Sequence, residues 1–302
     1  MVSKPSVQGI LFAFAAYFSW GLLPLYWRAL ASVNSLHILG FRIALAMVFA
    51  AGVLFACKNF SWLFFFKNRR SALYLVLASI MISFNWGLFL WAVNAERSLE
   101  AAFGYYINPL FVILIGLVFF KEKLKALQWV SLGLALAGVL TITIFTGSPP
   151  LISLGLAVSF STYSLLKKLI GMPALESLAI ETLIATPPAL LLLFVPGISY
   201  FFTGLYGVGY VAYLPGFTVL LLLLCGAIST MPLYFFTRAA KLLPLSTLGF
   251  IQFLSPTMAF LLGYFVFREA FPWYNFIAFG FIWAAVIVFV VSLYAPQKQR
   301  PG

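Results

Sequence analysis

Long apolar runs, and not an alternation of apolar and polar positions, dominate the pattern along this chain. Each run holds about 20 mostly apolar residues, enough to cross a hydrocarbon core of roughly 30 Å as a helix. Proline, glycine and charged residues separate the runs. The pattern predicts ten helices, at residues 8–30, 35–57, 71–94, 99–120, 126–146, 149–170, 174–195, 216–240, 244–267 and 273–294.

The segment between the seventh and eighth predicted helices, residues 196–215, differs from the rest because it is rich in glycine, tyrosine and phenylalanine. Aromatic side chains favour the headgroup zone of a bilayer. We therefore expect an interfacial connection here, and a short helix lying in the membrane plane is one form that it could take.

The composition agrees with a chain whose solvent is the bilayer. It is 64% hydrophobic and only 8% charged, whereas soluble domains are about 45–50% apolar and about 25% charged. A water-soluble core cannot absorb so much apolar surface. The predicted fold class is therefore an all-α integral membrane protein.

The net charge of +12 comes from short clusters of Lys and Arg between the apolar runs. Such clusters indicate membrane topology better than they indicate nucleic-acid binding, which we do not expect. If the N-terminus is cytoplasmic, 14 of the 18 basic residues, Lys167 and Lys168 among them, fall in cytoplasmic segments. The positive-inside rule then predicts a multi-pass protein of the bacterial inner membrane with both termini in the cytoplasm.

The inventory of reactive side chains argues against an enzyme. The chain has six Glu, no Asp and a single His, which leaves little from which to build a carboxylate dyad, a Ser-His-Asp triad or a metal cluster. It also lacks the G-x-x-x-x-G-K-[ST] loop that binds nucleotide phosphates. We expect no metal, no cofactor and no direct use of ATP.

An internal repeat relates the two halves. Asn108-Pro109, Gly116, Glu122 and Gly133 recur 147 residues later, as Ser255-Pro256, Gly263, Glu269 and Gly280. Each copy would hold five helices, an odd number, so that the second copy must be inverted in the membrane. The sequence thus predicts two inverted five-helix repeats, residues 1–147 and 148–302, a plan typical of secondary transporters. Duplication without a role in transport is the alternative.

Four segments carry a resemblance to a known family: Ser19–Trp27, Asn85–Asn94, Leu99–Pro109 and Pro244–Gly249. As a set they resemble the RarD-type members of the EamA-like drug/metabolite transporter superfamily. The resemblance implies ten helices in two inverted repeats and transport without ATP. It also implies a cargo among small metabolites, since the superfamily includes carriers of amino acids and of S-adenosylmethionine, and it brings a drug-sensitivity label.

The sequence departs from that family at two places. Members usually have Glu and His-Arg in the second helix, where this chain has His37 and Phe41-Arg42, and they tend to Gly-His where it has Glu96-Arg97. These positions are candidate ligands, so the family's substrate need not be inherited.

Arg42 and Glu181 are the leading site candidates because an ionisable side chain inside a bilayer is costly and usually functional. They are equivalent when the second and seventh helices are aligned, so a pseudo-two-fold axis would aim both at one cavity. Arg42 would bind a carboxylate with two parallel hydrogen bonds and Glu181 an ammonium group. The alternatives are a direct Arg42–Glu181 salt bridge and a position near a helix end.

Aromatic and amide side chains in the same motifs could complete a pocket by stacking on a planar or cationic group. Packing, interfacial anchoring and polar contacts between helices are the alternatives. These candidates are Trp20, Trp86, Trp91, Tyr105, Tyr106, Asn85, Asn94, Asn108 and Gln252. Pro109 and Pro256 are candidate hinges or plain kinks, and Glu122 and Glu269 are expected to form local ion pairs.

Together these patterns predict a secondary transporter that moves a small organic metabolite across the inner membrane by alternating access. An amino-acid-like or S-adenosylmethionine-like zwitterion is the expected substrate. A drug or toxic-metabolite exporter of the same fold and a membrane scaffold without transport are the alternatives. The lipid bilayer is the expected partner, and a homodimer is left open.

Overall fold

The computed structural model describes residues 6–67, 69–94, 98–146, 151–268 and 272–294. These residues fold into helices and connecting segments, with no β-strand among them. Within this part of the chain, eight helices are long and apolar enough to cross a membrane. The predicted all-α membrane class is confirmed.

The helices follow the predicted apolar runs, with ends shifted by a few residues. Their bounds are α1 Val7–Ala29, α2 Ser35–Ala56, α3 Arg69–Asn94, α4 Ser98–Phe119, α5 Ala126–Thr146, α6 Leu151–Leu169, α7 Ala174–Phe194, α8 Pro196–Thr203, α9 Gly216–Leu242, α10 Leu245–Gln252, α11 Leu254–Leu261 and α12 Trp273–Tyr294. The short helix α8 lies in the segment expected to form an interfacial connection. Phe201, Tyr206 and Tyr213 in this segment are exposed, as aromatic side chains near a headgroup zone would be.

Two of the ten predicted spans, α4 and α6, are not among the eight. In α4 the described apolar stretch is shorter, Gly104–Phe119. Helix α6 carries four serines and two lysines within 19 residues, and much of it is buried by its neighbours.

The ninth predicted helix, 244–267, is broken, whereas the repeat-related α4 is continuous. The break falls at Phe253, between α10 and α11. Proline lacks the N–H that would bond the carbonyl four residues earlier, and its ring crowds that carbonyl. Pro256 therefore removes the helical bond to Gln252, next to the break, while Pro109 lies inside an unbroken helix. The two predicted hinge prolines thus act differently on their helices, and their role in motion stays a prediction.

Contacts at one end of the bundle define the direction of the helices. Gly9 at the start of α1 packs against Leu243 at the end of α9. The Asn59 amide, after α2, donates to the carboxylate of Glu176 in the first turn of α7 at 2.7 Å. We call this the basic end, because it holds Lys58, Lys121, Lys123, Lys125, Lys168 and Lys241.

The opposite end is defined in the same way. The Tyr26 hydroxyl, near the end of α1, donates to the Leu221 carbonyl near the start of α9. The Phe145 and Trp273 rings, at the end of α5 and the start of α12, are 4.9 Å apart. Successive long helices therefore run in alternating directions between the two ends.

Helices α2 and α9 approach each other closely at Gly226. A Cβ atom on Gly226 would lie 2.3 Å from the backbone carbon of Leu45 and 2.5 Å from the Ala46 nitrogen. Both neighbours are backbone atoms, which cannot move without shifting α2. Contact between small residues is a common way for membrane helices to pack.

We expect Gly226→Ala to destabilise the bundle by about 1–3 kcal/mol, since overpacking forces the backbone to shift. The apparent melting temperature of the purified protein in detergent measures this. Gly52→Ala in α2 is the matched control, because a Cβ there meets nothing within 4 Å. Equal melting temperatures for the two variants would contradict the close approach.

Candidate functional site

Arg42 lies inside the bundle against aromatic rings. It is seven residues beyond the start of α2, which places it about 10 Å along the helix from the opposite end. Its guanidinium carbon is 3.7 Å from the centroid of the Trp86 ring and 5.6 Å from that of Trp27. Tyr105 and Cys225 are close enough to interact with it electrostatically.

The Arg42 side chain is not fully paired. Its Nε atom is buried and has no hydrogen-bond partner, although a buried donor without a partner costs free energy. The ring face of Trp86 offsets part of the cost of placing a cation inside the bundle. A carboxylate fits the remaining donors, because the planar guanidinium can bind two oxygens at once.

Glu181 lies in a different cluster, with partners on α6. Its Oε1 atom is 2.6 Å from the Lys167 ammonium, and its Oε2 atom accepts from the Tyr163 hydroxyl at 3.1 Å. Lys167 also donates to the Ser177 hydroxyl at 2.7 Å. The Lys167 and Glu181 side chains are only 0% and 3% exposed, so this ion pair is buried.

The expected meeting of Arg42 and Glu181 is not what the structure shows, either as one pocket or as a direct salt bridge. Helices α2 and α7 are antiparallel: Gly40 packs against Leu193, and Ile43 packs with residues 185 and 189. Arg42 is therefore level with the last turns of α7. Glu181 is about two helical turns away, roughly 12 Å at 1.5 Å per residue.

Asn85 connects two helices. Its amide nitrogen donates to the Leu156 carbonyl at 2.8 Å and to the Ser159 hydroxyl at 2.9 Å. This joins α3 to α6, the role anticipated for such amides as the alternative to a pocket.

Trp20 and Gln252 belong to a central cluster near Tyr17. The Trp20 and Tyr17 rings are 5.5 Å apart, and the Tyr17 hydroxyl donates to the Gln252 side-chain oxygen at 3.5 Å. Trp20 also packs against Phe160 and Phe236. These two candidates are brought together by α1, α6, α9 and α10.

The remaining candidates are scattered. Trp91 is 51% exposed on the surface of α3, and Tyr106 packs edge-on against Phe279 of α12. Asn108 is 4% exposed, and its side-chain oxygen has no partner. The side chain of Asn94 lies outside the part of the chain that is described.

His37 ties α2 to the connection that contains α8. Its Nε2 atom is 2.9 Å from the Ser199 hydroxyl and its Nδ1 atom 3.1 Å from the Tyr210 hydroxyl. Tyr210 also accepts from the Asn34 backbone N–H at 3.2 Å. Burial raises the pKa of the Tyr210 phenol, while the bond from Asn34 opposes that rise. His37 thus holds a connecting segment at the opposite end.

Comparison with known proteins decides the family. Residues 7–144 match the EamA-like transporter family. Protein RarD of Streptomyces exfoliatus is 41% identical over 284 residues, which cover 93% of this chain and 87% of that protein. The uncharacterized transporter YojE of Bacillus subtilis is 39% identical, with 94% of each chain covered. The chain belongs to the RarD-type members of the EamA-like transporter family.

This EamA-like chain also shares its fold with a solved crystal structure. The TM-score is 0.73 over 97% of this chain and 100% of that one, at 16% sequence identity. Such low identity shows the fold alone. With the family, it makes the protein a multi-pass membrane transporter.

Lys167 is the residue of this EamA-like transporter that sequence reasoning missed. The sequence predicts a cytoplasmic cluster that contains Lys167 and Lys168, and in the structure both residues lie toward the basic end. Lys167, however, follows Phe160 and Tyr163 at helical spacing on the inner face of α6. That spacing, with an intramembrane Glu181 in need of a cation, was the signal that could have identified the pair.

We expect Lys167→Met in this EamA-like protein to cost about 3–5 kcal/mol, because it leaves the buried Glu181 carboxylate without its cation. The double variant Lys167→Met/Glu181→Gln should recover most of that loss, since it removes both charges. Thermal unfolding of the single and double variants in detergent measures the coupling. A double variant no more stable than Lys167→Met would be evidence against the pair.

Proposed function

We propose that this protein is a secondary transporter that moves a small organic metabolite bearing a carboxylate by alternating access. An amino-acid-like or S-adenosylmethionine-like zwitterion is the substrate class that fits best. The observation that carries the proposal is Arg42, whose guanidinium stacks on Trp86 and whose buried Nε atom is unpaired.

The balance of charge supports an anionic group on the substrate. Lys167 and Glu181 neutralise each other. Among the described residues, no carboxylate lies within ion-pair distance of Arg42, so none of these residues provides a counter-ion for its positive charge. A bound carboxylate would supply one, and intramembrane charges are favourable only when paired. Glu181 already has protein partners on both oxygens, and we therefore assign substrate contact to Arg42 and not to Glu181.

Further polar atoms support a ligand in the middle of the bundle. The Asn108 side-chain oxygen and the Ser229 hydroxyl are buried, and neither has a hydrogen-bond partner. Asn108 is ten residues into α4, about 15 Å along that helix and so near the membrane midplane. Bound substrate or water would satisfy such groups at that depth.

The alternating helix directions support the inverted-repeat architecture. Arg42 and Glu181 each lie seven residues into their helices, but α2 starts at the opposite end and α7 at the basic end. Residues related by an inverted repeat are expected at equal depths measured from opposite ends of the bundle. We propose ten spans in two repeats, residues 1–147 and 148–302, with the basic end and both termini in the cytoplasm.

We expect Arg42→Ala to abolish saturable uptake of radiolabelled amino acids or S-adenosylmethionine into proteoliposomes. Arg42→Lys should retain transport with an apparent KM raised roughly tenfold, since an ammonium cannot form the bidentate bond and tenfold is about 1.4 kcal/mol. The initial rate of uptake against substrate concentration gives both values.

The matched control is Arg28→Lys, because Arg28 also stacks on an aromatic ring, that of Phe267 at 4.3 Å, but lies at the opposite end. It should transport like the parent. The carboxamide of each accepted substrate should compete at least tenfold more weakly than the carboxylate. Full transport by Arg42→Ala would refute the carboxylate site, and saturable transport of uncharged drugs alone would favour an exporter.

A further inference from the structure

Glu122 joins the two halves of the chain at the basic end. It follows α4, and its carboxylate accepts from the backbone N–H groups of Leu245 and Ser246 at 2.7 and 2.8 Å. The Ser246 hydroxyl donates to the same carboxylate at 2.6 Å. These three bonds take the place of the local ion pair expected from the sequence.

The contact replaces a helix cap. Helix α10 begins after Pro244, which has no side chain that could bond the free N–H groups of the first turn. A carboxylate satisfies those groups and interacts favourably with the helix dipole. Here it comes from a residue more than 120 positions earlier, so the first turn of α10 is capped only while the two halves are together.

The segment formed by the end of α9, its connection to α10 and the first turn of α10 is also held from α6. The Lys168 ammonium donates to the Leu243 carbonyl and, at 3.4 Å, to the Ala240 carbonyl. On the other side, a Cβ atom on Gly116 would lie 2.9 Å from the Ser246 nitrogen. At Gly116 no side chain fits between α4 and the first turn of α10, and this contact closes the basic end at that point.

Arg42 is on the other side of this closure. It lies about 10 Å along α2 from the opposite end, in the half of the bundle remote from Glu122. A substrate leaving the Arg42 site toward the basic end would therefore have to pass the level at which α4 meets α10.

We propose that the bonds from Glu122 to Leu245 and Ser246 form the gate of the basic end, closed in this structure and released when that end opens. This rests on the proposed alternating-access function. A carboxylate that accepts three bonds across the halves suits such a gate, because the bonds break together when α4 moves away from α10.

The test follows the opening of this end without using any substrate. Thr247→Cys, in a Cys57→Ser/Cys225→Ala background, places a reporter thiol in a buried position next to Ser246. Its rate of alkylation by a charged maleimide is measured in lipid nanodiscs. Glu122→Ala should raise that rate roughly five- to thirty-fold, the range that corresponds to losing a helix cap.

Two further variants calibrate the result. Ser246→Ala removes one of the three bonds and should give a smaller increase, which also tests the gate if Glu122→Ala fails to fold. Glu176→Gln, at the same end, keeps an oxygen that can accept from Asn59 and should leave the rate unchanged.

A second reporter, Ala135→Cys, is buried between α5 and α12 and should show no change in any variant. Equal rates at position 247 for the parent, Glu122→Ala and Ser246→Ala would overturn the gate, as would a parallel increase at position 135. A failure of substrate uptake alone would instead count against the Arg42 site.

Discussion

The absence of hydrogen-bonding solvent in a bilayer is the constraint on which the rest of this structure depends. Every polar group inside must find its partner within the protein. Hydroxyl groups solve this locally by bonding the carbonyl one turn back, as in Ser164, Thr182, Thr186, Thr230 and Thr237. Charges need partners from other helices, which is why Glu181, Lys167 and Tyr163 lie together. Arg42 departs from this rule because its Nε atom has no partner, as do the Asn108 oxygen and the Ser229 hydroxyl.

The same constraint distinguishes polar groups that are fully paired within the protein from those that are not. The Lys167–Glu181 pair is complete, so it can hold α6 to α7 without any ligand, and Ser79 extends the contact to α3 by donating to the Glu181 carbonyl at 2.8 Å. Arg42 has aromatic faces around it and, within the part of the chain that the structure describes, no carboxylate at ion-pair distance, which is why we propose it as the substrate contact. At the basic end, the carboxylate of Glu122 caps the first turn of α10, because Pro244 has no side chain that could do so.

The sequence by itself determined the fold class, the family and the approximate positions of the long helices, because apolar runs of membrane length and proline or glycine boundaries are local features. It also singled out Arg42 and Trp86. In the structure the guanidinium carbon of Arg42 is 3.7 Å from the centroid of the Trp86 ring. An intramembrane charge and a nearby aromatic motif are visible in the sequence whatever their partners are.

Only the tertiary structure decided which groups meet. Equivalence in an inverted repeat suggested one cavity for Arg42 and Glu181, but helices that start at opposite ends place these residues at different depths. Lys167 and Lys168 are neighbours in sequence, yet a rotation of about 100° per residue turns one into the core and the other toward α9. The partners of Glu122 lie more than 120 residues away. Depth, helix rotation and long-range contact are properties of the packed bundle, and no local pattern encodes them.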